Sequence, residues 1–254
     1  MKIVVPIKLV PDLVEELSID ASGIALDTAW MRLIINEFDD HAIEQAILLK
    51  ESSGGEVVVI APEAEGIDDM LFTAAAKGVD RIIKLTGEFD RALNNHALSR
   101  VLAPIVNEIH PDLVLTGVQA HNDLDGPIGP LLAEKLGMPY VGYVSGVKAN
   151  SGKATIRKEY PGGLIAEMDI VMPAVLGIQA AENPPRYVPI SKVRQAMKTA
   201  TIEELPAGEL DSGGAPTVSR MFQPEAAEKA TMIEGNTEEI AARIVEILKE
   251  QGVL

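Results

Sequence analysis

Three short segments hold the residues whose types and spacing could bind or transform a ligand. They are Ile7-Lys8-Leu9, Asn36-Glu-Phe-Asp39, and the loop Gly117-Val-Gln-Ala-His-Asn-Asp-Leu-Asp-Gly-Pro-Ile-Gly129. The loop is rich in glycine, stands between a β-type run and a helical run, and is longer than an ordinary strand-to-helix connection. Such a loop can wrap a phosphate with backbone N–H groups. Lys8, at the end of an apolar run, could face that phosphate or simply salt the rim. His121, Asp123 and Asp125 cluster in the loop, but alternation of this kind is weak evidence for a metal.

Catalytic constellations are scarce. There is no Gly-x-Ser-x-Gly nucleophile elbow, no Walker loop and no Gly-x-Gly-x-x-Gly after the first strand. Ser212-Gly-Gly-Ala-Pro216 hints at an ATP-pyrophosphatase loop, but it stands far from the first strand. The absence of cysteine excludes disulfides, thiolate metal sites and thiol catalysis. His41, His96, His110 and His121 never fall at i,i+4, so no helical metal pair forms.

The elements that must position these segments are legible as patterns. Lys2 to Ile7 reads as a buried strand, with Pro6 at its end because proline cannot donate to a ladder. Asp20-Ala-Ser-Gly23 reads as a hairpin turn. Asn36 is a candidate cap for a helix whose stripe is Ala42, Ile43, Ala46, Ile47 and Leu49. Next come a strand at 56–60, a helix at 70–77, a strand at 81–84, a helix at 91–109 halted by His110-Pro111, a strand at 113–116 and a helix at 130–136. This alternation predicts an α/β fold: a doubly wound, mostly parallel sheet with helices on both faces. From Tyr140 three runs with turns at Ser151-Gly152 and Pro161-Gly163 predict a small antiparallel addition, and Pro173 to Gly177 reads as one more buried strand. Trp30 and Met31 read as core or interface.

A short helix at 192–198 and a Gly/Ser/Pro-rich acidic stretch at 203–223 follow, then a helix capped at Asn236 with the stripe Ile240, Ile244, Ile247, Leu248. Residues 201–254 carry eleven acidic and four basic side chains. The division expected is 1–190 for the α/β domain and 191–254 for an extended C-terminal arm and helix. That arm either embraces a partner subunit or folds back on its own core.

The chain has 254 residues, 47% of them apolar and 24% charged, enough to bury a sizeable core. The net charge of −16 argues against a sequence-independent nucleic-acid binder and against docking on an anionic membrane. No apolar run has the length of a membrane span and no signal-peptide pattern opens the chain, so a cytoplasmic or matrix-like location is expected.

The ordered set of motifs resembles the β subunit of electron transfer flavoproteins. The matching pieces are Ile3-Val-Val-Pro-Ile-Lys8 with Val10-Pro-Asp12, Asn36 to Asp39 leading into Ala42-Ile-Glu-Gln-Ala46, and Leu71-Phe-Thr-Ala-Ala-Ala-Lys-Gly-Val-Asp80. Asp112-Leu-Val-Leu-Thr-Gly-Val-Gln-Ala120, Gly162-Gly-Leu164, Pro173-Ala-Val175 and Asn183-Pro-Pro-Arg-Tyr187 follow in order. The resemblance implies an electron carrier without catalytic residues of its own. It would pair with a larger α subunit, which binds most of one FAD. Electrons would come from an acyl-CoA dehydrogenase or a related flavoprotein dehydrogenase and pass to a membrane quinone oxidoreductase. The β domain in this family also holds AMP, or in bifurcating relatives a second FAD.

Carried over by position, the FAD wall is Phe38 and Leu13. The nucleotide site is Pro6, Asn36, Glu37, Asp39, Pro62, Gly117, Gln119, Asn122, Asp123, Gly126 and Ile128. Partner docking falls on Ile178, Ala181, Glu182, Arg186 and Tyr187. Pro127 removes an N–H, Asp123 and Asp125 add negative charge, and Pro6 replaces a small residue, all of which count against AMP and a second FAD. The expectation is a single-FAD, non-bifurcating complex. Glu182 stands where relatives present a leucine, which implies an altered dehydrogenase partner. A stand-alone adenine-nucleotide-binding regulatory module of universal-stress type is the alternative.

Overall fold

Four apolar runs with few polar interruptions become the centre of one sheet. The computed structural model describes residues 1–87, 89, 94–150, 152–224 and 230–254. Strands β1 (Lys2–Pro6), β4 (Glu56–Pro62), β6 (Leu113–Gly117) and β10 (Ala174–Ile178) are buried almost throughout, as strands covered on both faces must be. With β5 (Arg81–Thr86), β7 (Tyr140–Asn150), β8 (Lys153–Tyr160), β9 (Leu164–Val171) and β11 (Ile202–Pro206) they form nine strands in the order β11-β5-β4-β1-β6-β10-β7-β8-β9. Pairing is parallel from β11 to β7 and antiparallel from β7 to β9. A separate antiparallel pair joins β2 (Leu9–Pro11) to β3 (Leu33–Ile35). The α/β class, the parallel sheet and the antiparallel addition therefore stand as read from the sequence. Ser151, one of the turn residues singled out, lies outside the described residues.

Helices cover both faces. α1 (Glu37–Ser53) and α2 (Ile67–Lys77) pack with Ile3, Val5, Val57, Val59 and Leu115 on one side. α3 (Asn95–Ile109) and α4 (Ile128–Leu136) pack with Val4, Val58, Ile60, Ile83 and Val114 on the other. The expected stripe of α1 is buried in full. His110 closes α3 in a left-handed conformation just before Pro111. The expected start of this helix at Arg91 lies outside the described residues. The chain leaves β1 toward β4 on one side and later returns to β6 on the other, so the winding reverses between β1 and β6. In open α/β sheets ligands bind at that reversal, beyond the carboxyl ends of the strands.

Pro6 does end β1. The β1–β6 pairing is confined to Ile3 with Leu113 and Val4 with Val114, so the ladder no longer needs an N–H at Pro6. The Asp20–Gly23 turn forms as expected, with Gly23 at φ +71° and a single bridge between Ile19 and Leu26.

The acidic stretch expected to run out as an arm begins differently. Ile202–Pro206 is an edge strand on β5, held by Arg81 to Glu203 at 2.8 Å and Lys84 to Glu204 at 2.9 Å. Ala207 and Leu210 pack on the α3 side of the core. Its acidic residues thus answer the basic residues of β5, a complement invisible in a local composition count. Two compact units result, 1–221 and 222–254. The second contains α6 (Thr237–Glu250), which has the capping box formed by Asn236 and Glu239 and no buried residue. α5 (Ile190–Thr199) matches the short helix expected at 192–198.

Candidate functional site

The winding reversal brings the three segments together. Pro6, Lys8, Asn36, Asp39, Gly117, Gln119, Asp123 and Ile128, with Leu98 of α3, line one crevice. At its floor Asp39 ties the ends of β1 and β6. Its two carboxylate oxygens accept the N–H of Lys8 and the N–H of Gly117, each at 3.0 Å. Burial pushes the Asp39 carboxyl up to about 7, against the pull of the Lys8 N–H and ammonium, Asn36 and the Gly117 N–H. Gly117 must be glycine: a Cβ there would lie 2.3 Å from Asp39 Oδ1 and 2.9 Å from Asp39 N.

Asn36 occupies the N-cap position of α1, but its side chain does not cap the helix. Its Nδ2 donates to the Gln119 carbonyl at 2.9 Å, which ties the start of α1 to the long loop. The first turn of α1 instead keeps Glu37, Asp39 and Asp40 near the positive end of the helix dipole.

The loop ligates itself. The Lys8 ammonium contacts the Asp123 carboxylate. Asp123 also accepts Ala120 N–H at 2.8 Å and Asn95 Nδ2 at 2.7 Å. Asp125 accepts both the backbone N–H and ring Nδ1 of His96, at 3.0 and 2.8 Å. Burial opposes its ionisation, yet the His96 ring and the N–H groups of Asn95 and His96 hold its carboxyl below the ordinary value. Asn94 caps α3 by accepting Ala97 N–H. Asn95 and His96 were not singled out from the sequence. The capping pattern around Asn94 marks a helix start, but which loop that start would face is a long-range fact. Gln119 and Asn122 are exposed, Glu37 is exposed, and Pro62 is buried at the end of β4. Among the described residues no group of three or more His, Cys, Asp or Glu is arranged to hold a metal ion.

The segment after β10 is held from beneath by α1. Ile178 is fully buried as the last residue of β10, so the exposed part of this segment starts beyond it. Ala181 N–H donates to His41 Nδ1 at 3.2 Å, Glu182 N–H to Gln45 Oε1 at 3.1 Å, and Arg186 N–H to Glu44 Oε2 at 2.9 Å. The Arg186 guanidinium grips the buried Glu44 at 2.9–3.0 Å and Glu51 at 2.7 Å. Glu51 and Glu44 raise the Arg186 pKa, and Arg186 lowers that of Glu51. Arg186 is therefore engaged within the chain, while Tyr187 next to it is 84% exposed and Glu182 is exposed.

Apolar side chains stand out from the N-terminal third. Leu13 is 60% exposed and Trp30 94%, which removes the core reading of Trp30. Phe38, on the first turn of α1, is half-buried. No described helix is long and apolar enough to cross a membrane.

Known proteins place this architecture. Residues 27–210 match the electron transfer flavoprotein domain family. The chain is 35% identical to the electron transfer flavoprotein subunit beta of Methylophilus methylotrophus, with 98% of each chain covered. It is 31% identical to the subunit of that name from Clostridium acetobutylicum, with 99% of each covered. The mitochondrial subunit beta of Oryza sativa subsp. japonica is 31% identical over 83% of this chain and 84% of its own. A domain match over most of the length, with relatives covered almost end to end, sets the regulatory-module alternative aside: the chain belongs to the electron transfer flavoprotein β-subunit family.

Proposed function

We propose that the chain pairs with an electron transfer flavoprotein α subunit around one FAD, mostly bound by that subunit. The pair carries electrons from an acyl-CoA dehydrogenase or related flavoprotein dehydrogenase to a membrane quinone oxidoreductase. The flavin, when bound, supplies the redox chemistry, and this chain's part is to shape its surroundings. Phe38 and the exposed Leu13 offer apolar surface suited to a wall against a ring. The segment from Ala181 to Tyr187 serves as the dehydrogenase-docking loop, with Tyr187 and Glu182 presented and Arg186 anchoring them from behind.

The single-flavin, non-bifurcating reading is supported by how the crevice and the start of α4 are filled. Lys8 is already engaged by Asp123, and α4 starts with Pro127 at its N-cap and Pro130 at its third position. Two peptide nitrogens that would face an anion at that helix start therefore carry no hydrogen. Co-expression with the α subunit should yield a complex whose flavin bleaches on adding reduced dehydrogenase and recovers on adding the quinone oxidoreductase. Reduction by NADH, with electrons divided between two acceptors, would contradict it.

A further inference from the structure

We infer that Asp123 and Asp125 are internal anions that take the donors a phosphate would use, and that removing Asp123 exposes a phosphate site at the crevice. The inference deepens the single-flavin reading and rests on it. It goes further than charge repulsion. Two aspartates that merely repelled a ligand would point at open space; Asp123 is ligated within the crevice by Lys8 and the Ala120 amide, and Asp125 by the first turn of α3.

The donors can be followed one at a time. The crevice lies where a doubly wound sheet binds its ligands, and its cation is Lys8. The Lys8 ammonium is bound to Asp123, whose side chain is 8% exposed. The Lys8 and Gly117 amides go to Asp39. The Ala120 amide goes to the second oxygen of Asp123 at 2.8 Å. Asn95 Nδ2 is shared by Asp123 Oδ1 and the Gly126 carbonyl, both at 2.7 Å. The first turn of α3, where a helix attracts an anion, gives the His96 amide and ring nitrogen to Asp125. So a lysine, a loop amide and a carboxamide converge on Asp123, while the helix amino-terminal turn beside them is taken by Asp125. The three donors on Asp123 are those of a phosphate site, filled by a side chain on a tether. A tethered anion occupies such a site at a high effective concentration, and free phosphate must compete with it.

The substitution Asp123→Ala should free Lys8, the Ala120 amide and Asn95 together. The test uses the flavin-loaded heterodimer, first stripped of phosphate, with inorganic phosphate and AMP as probes and chloride at equal ionic strength as the control. The wild-type melting temperature should not respond to phosphate beyond the chloride control. The Asp123→Ala complex should melt lower without phosphate and regain stability as phosphate or AMP is added, with an affinity at least about tenfold above wild type. Adding Lys8→Ala to that variant should abolish the regain. If Asp123→Ala does not assemble, Asp123→Asn, which keeps the shape and removes the charge, is scored by the same titration. No response in an assembled variant overturns the inference, while a wild-type complex that releases one FAD still upholds the single-flavin reading. A wild-type complex that releases AMP on denaturation overturns the inference, and one that releases two FAD overturns the single-flavin reading.

Discussion

Arg186 can be removed to measure how firmly α1 holds the segment after β10. Its guanidinium makes two-pronged contacts to Glu44 at 2.9–3.0 Å and reaches Glu51 at 2.7 Å. The Glu44 side chain is 3% exposed and that of Arg186 30%. Among the described residues, the substitution Arg186→Ala leaves Glu44 a buried carboxylate with only the residue-186 N–H for company. Breaking a buried ion pair from one side costs about 3–5 kcal/mol, and the partial exposure of Arg186 points to the lower end. The exposed Glu51 arm adds less than about 1 kcal/mol. A loss near 3 kcal/mol lowers the melting temperature of a chain this size by about 6–12 °C. Calorimetry of the heterodimer reads the shift directly. Adding Glu44→Gln should recover at least about 1 kcal/mol, because the stranded charge is gone. A loss below about 1 kcal/mol for Arg186→Ala, or no recovery in the double variant, would refute the claim that a desolvated charge pair fastens this segment.

Gly117→Ala should destabilise by about 1–3 kcal/mol or prevent folding, since its Cβ would stand 2.3 Å from Asp39 Oδ1; urea unfolding reads the loss. Asp39 takes up a proton on folding, because its carboxyl sits at about 7 in the fold against 3.8 ordinarily. Its contribution is therefore full below about pH 3.8 and is lost as pH rises through about 7, with a limiting slope of roughly 1.4 kcal/mol per pH unit. Asp39→Asn should flatten that slope in urea midpoints taken across this window. It should also cost about 1–3 kcal/mol, since one amide would then face the N–H of Lys8 or Gly117. Glu182→Leu should weaken docking to the chain's own dehydrogenase and strengthen docking to one with an apolar pocket, by about tenfold each; the dehydrogenase's KM for the complex reports both.

The parts of the fold that were legible in the sequence are those set by local pattern. The unbroken apolar run at Val57–Ala61 could only be a strand covered on both faces, and the α1 stripe from Ala42 to Leu49 could only face a core. The placement of β10 was not legible, because nothing in Ala174–Ile178 says that it slots between β6 and β7. Nor was β11: its Glu203 and Glu204 read as arm composition until Arg81 and Lys84 stood beside them. Residues at strand ends, such as Lys8 and Gly117, could be named from the sequence and come together in the crevice. The naming was incomplete where a helix start meets a distant loop, as with Asn95 and His96. Asn36 shows the same limit from the other side. Its type and position are those of a cap, but its Nδ2 donates to a carbonyl 83 residues away and its Oδ1 accepts no helix N–H.

The central claim is that this β subunit shares one flavin with its partner and carries no nucleotide of its own. The most direct measurement is to purify the heterodimer, denature it, and quantify the FAD and AMP released per complex. One FAD and no AMP is the result expected from a crevice that has ligated itself. One FAD with one AMP, or two FAD, would contradict it.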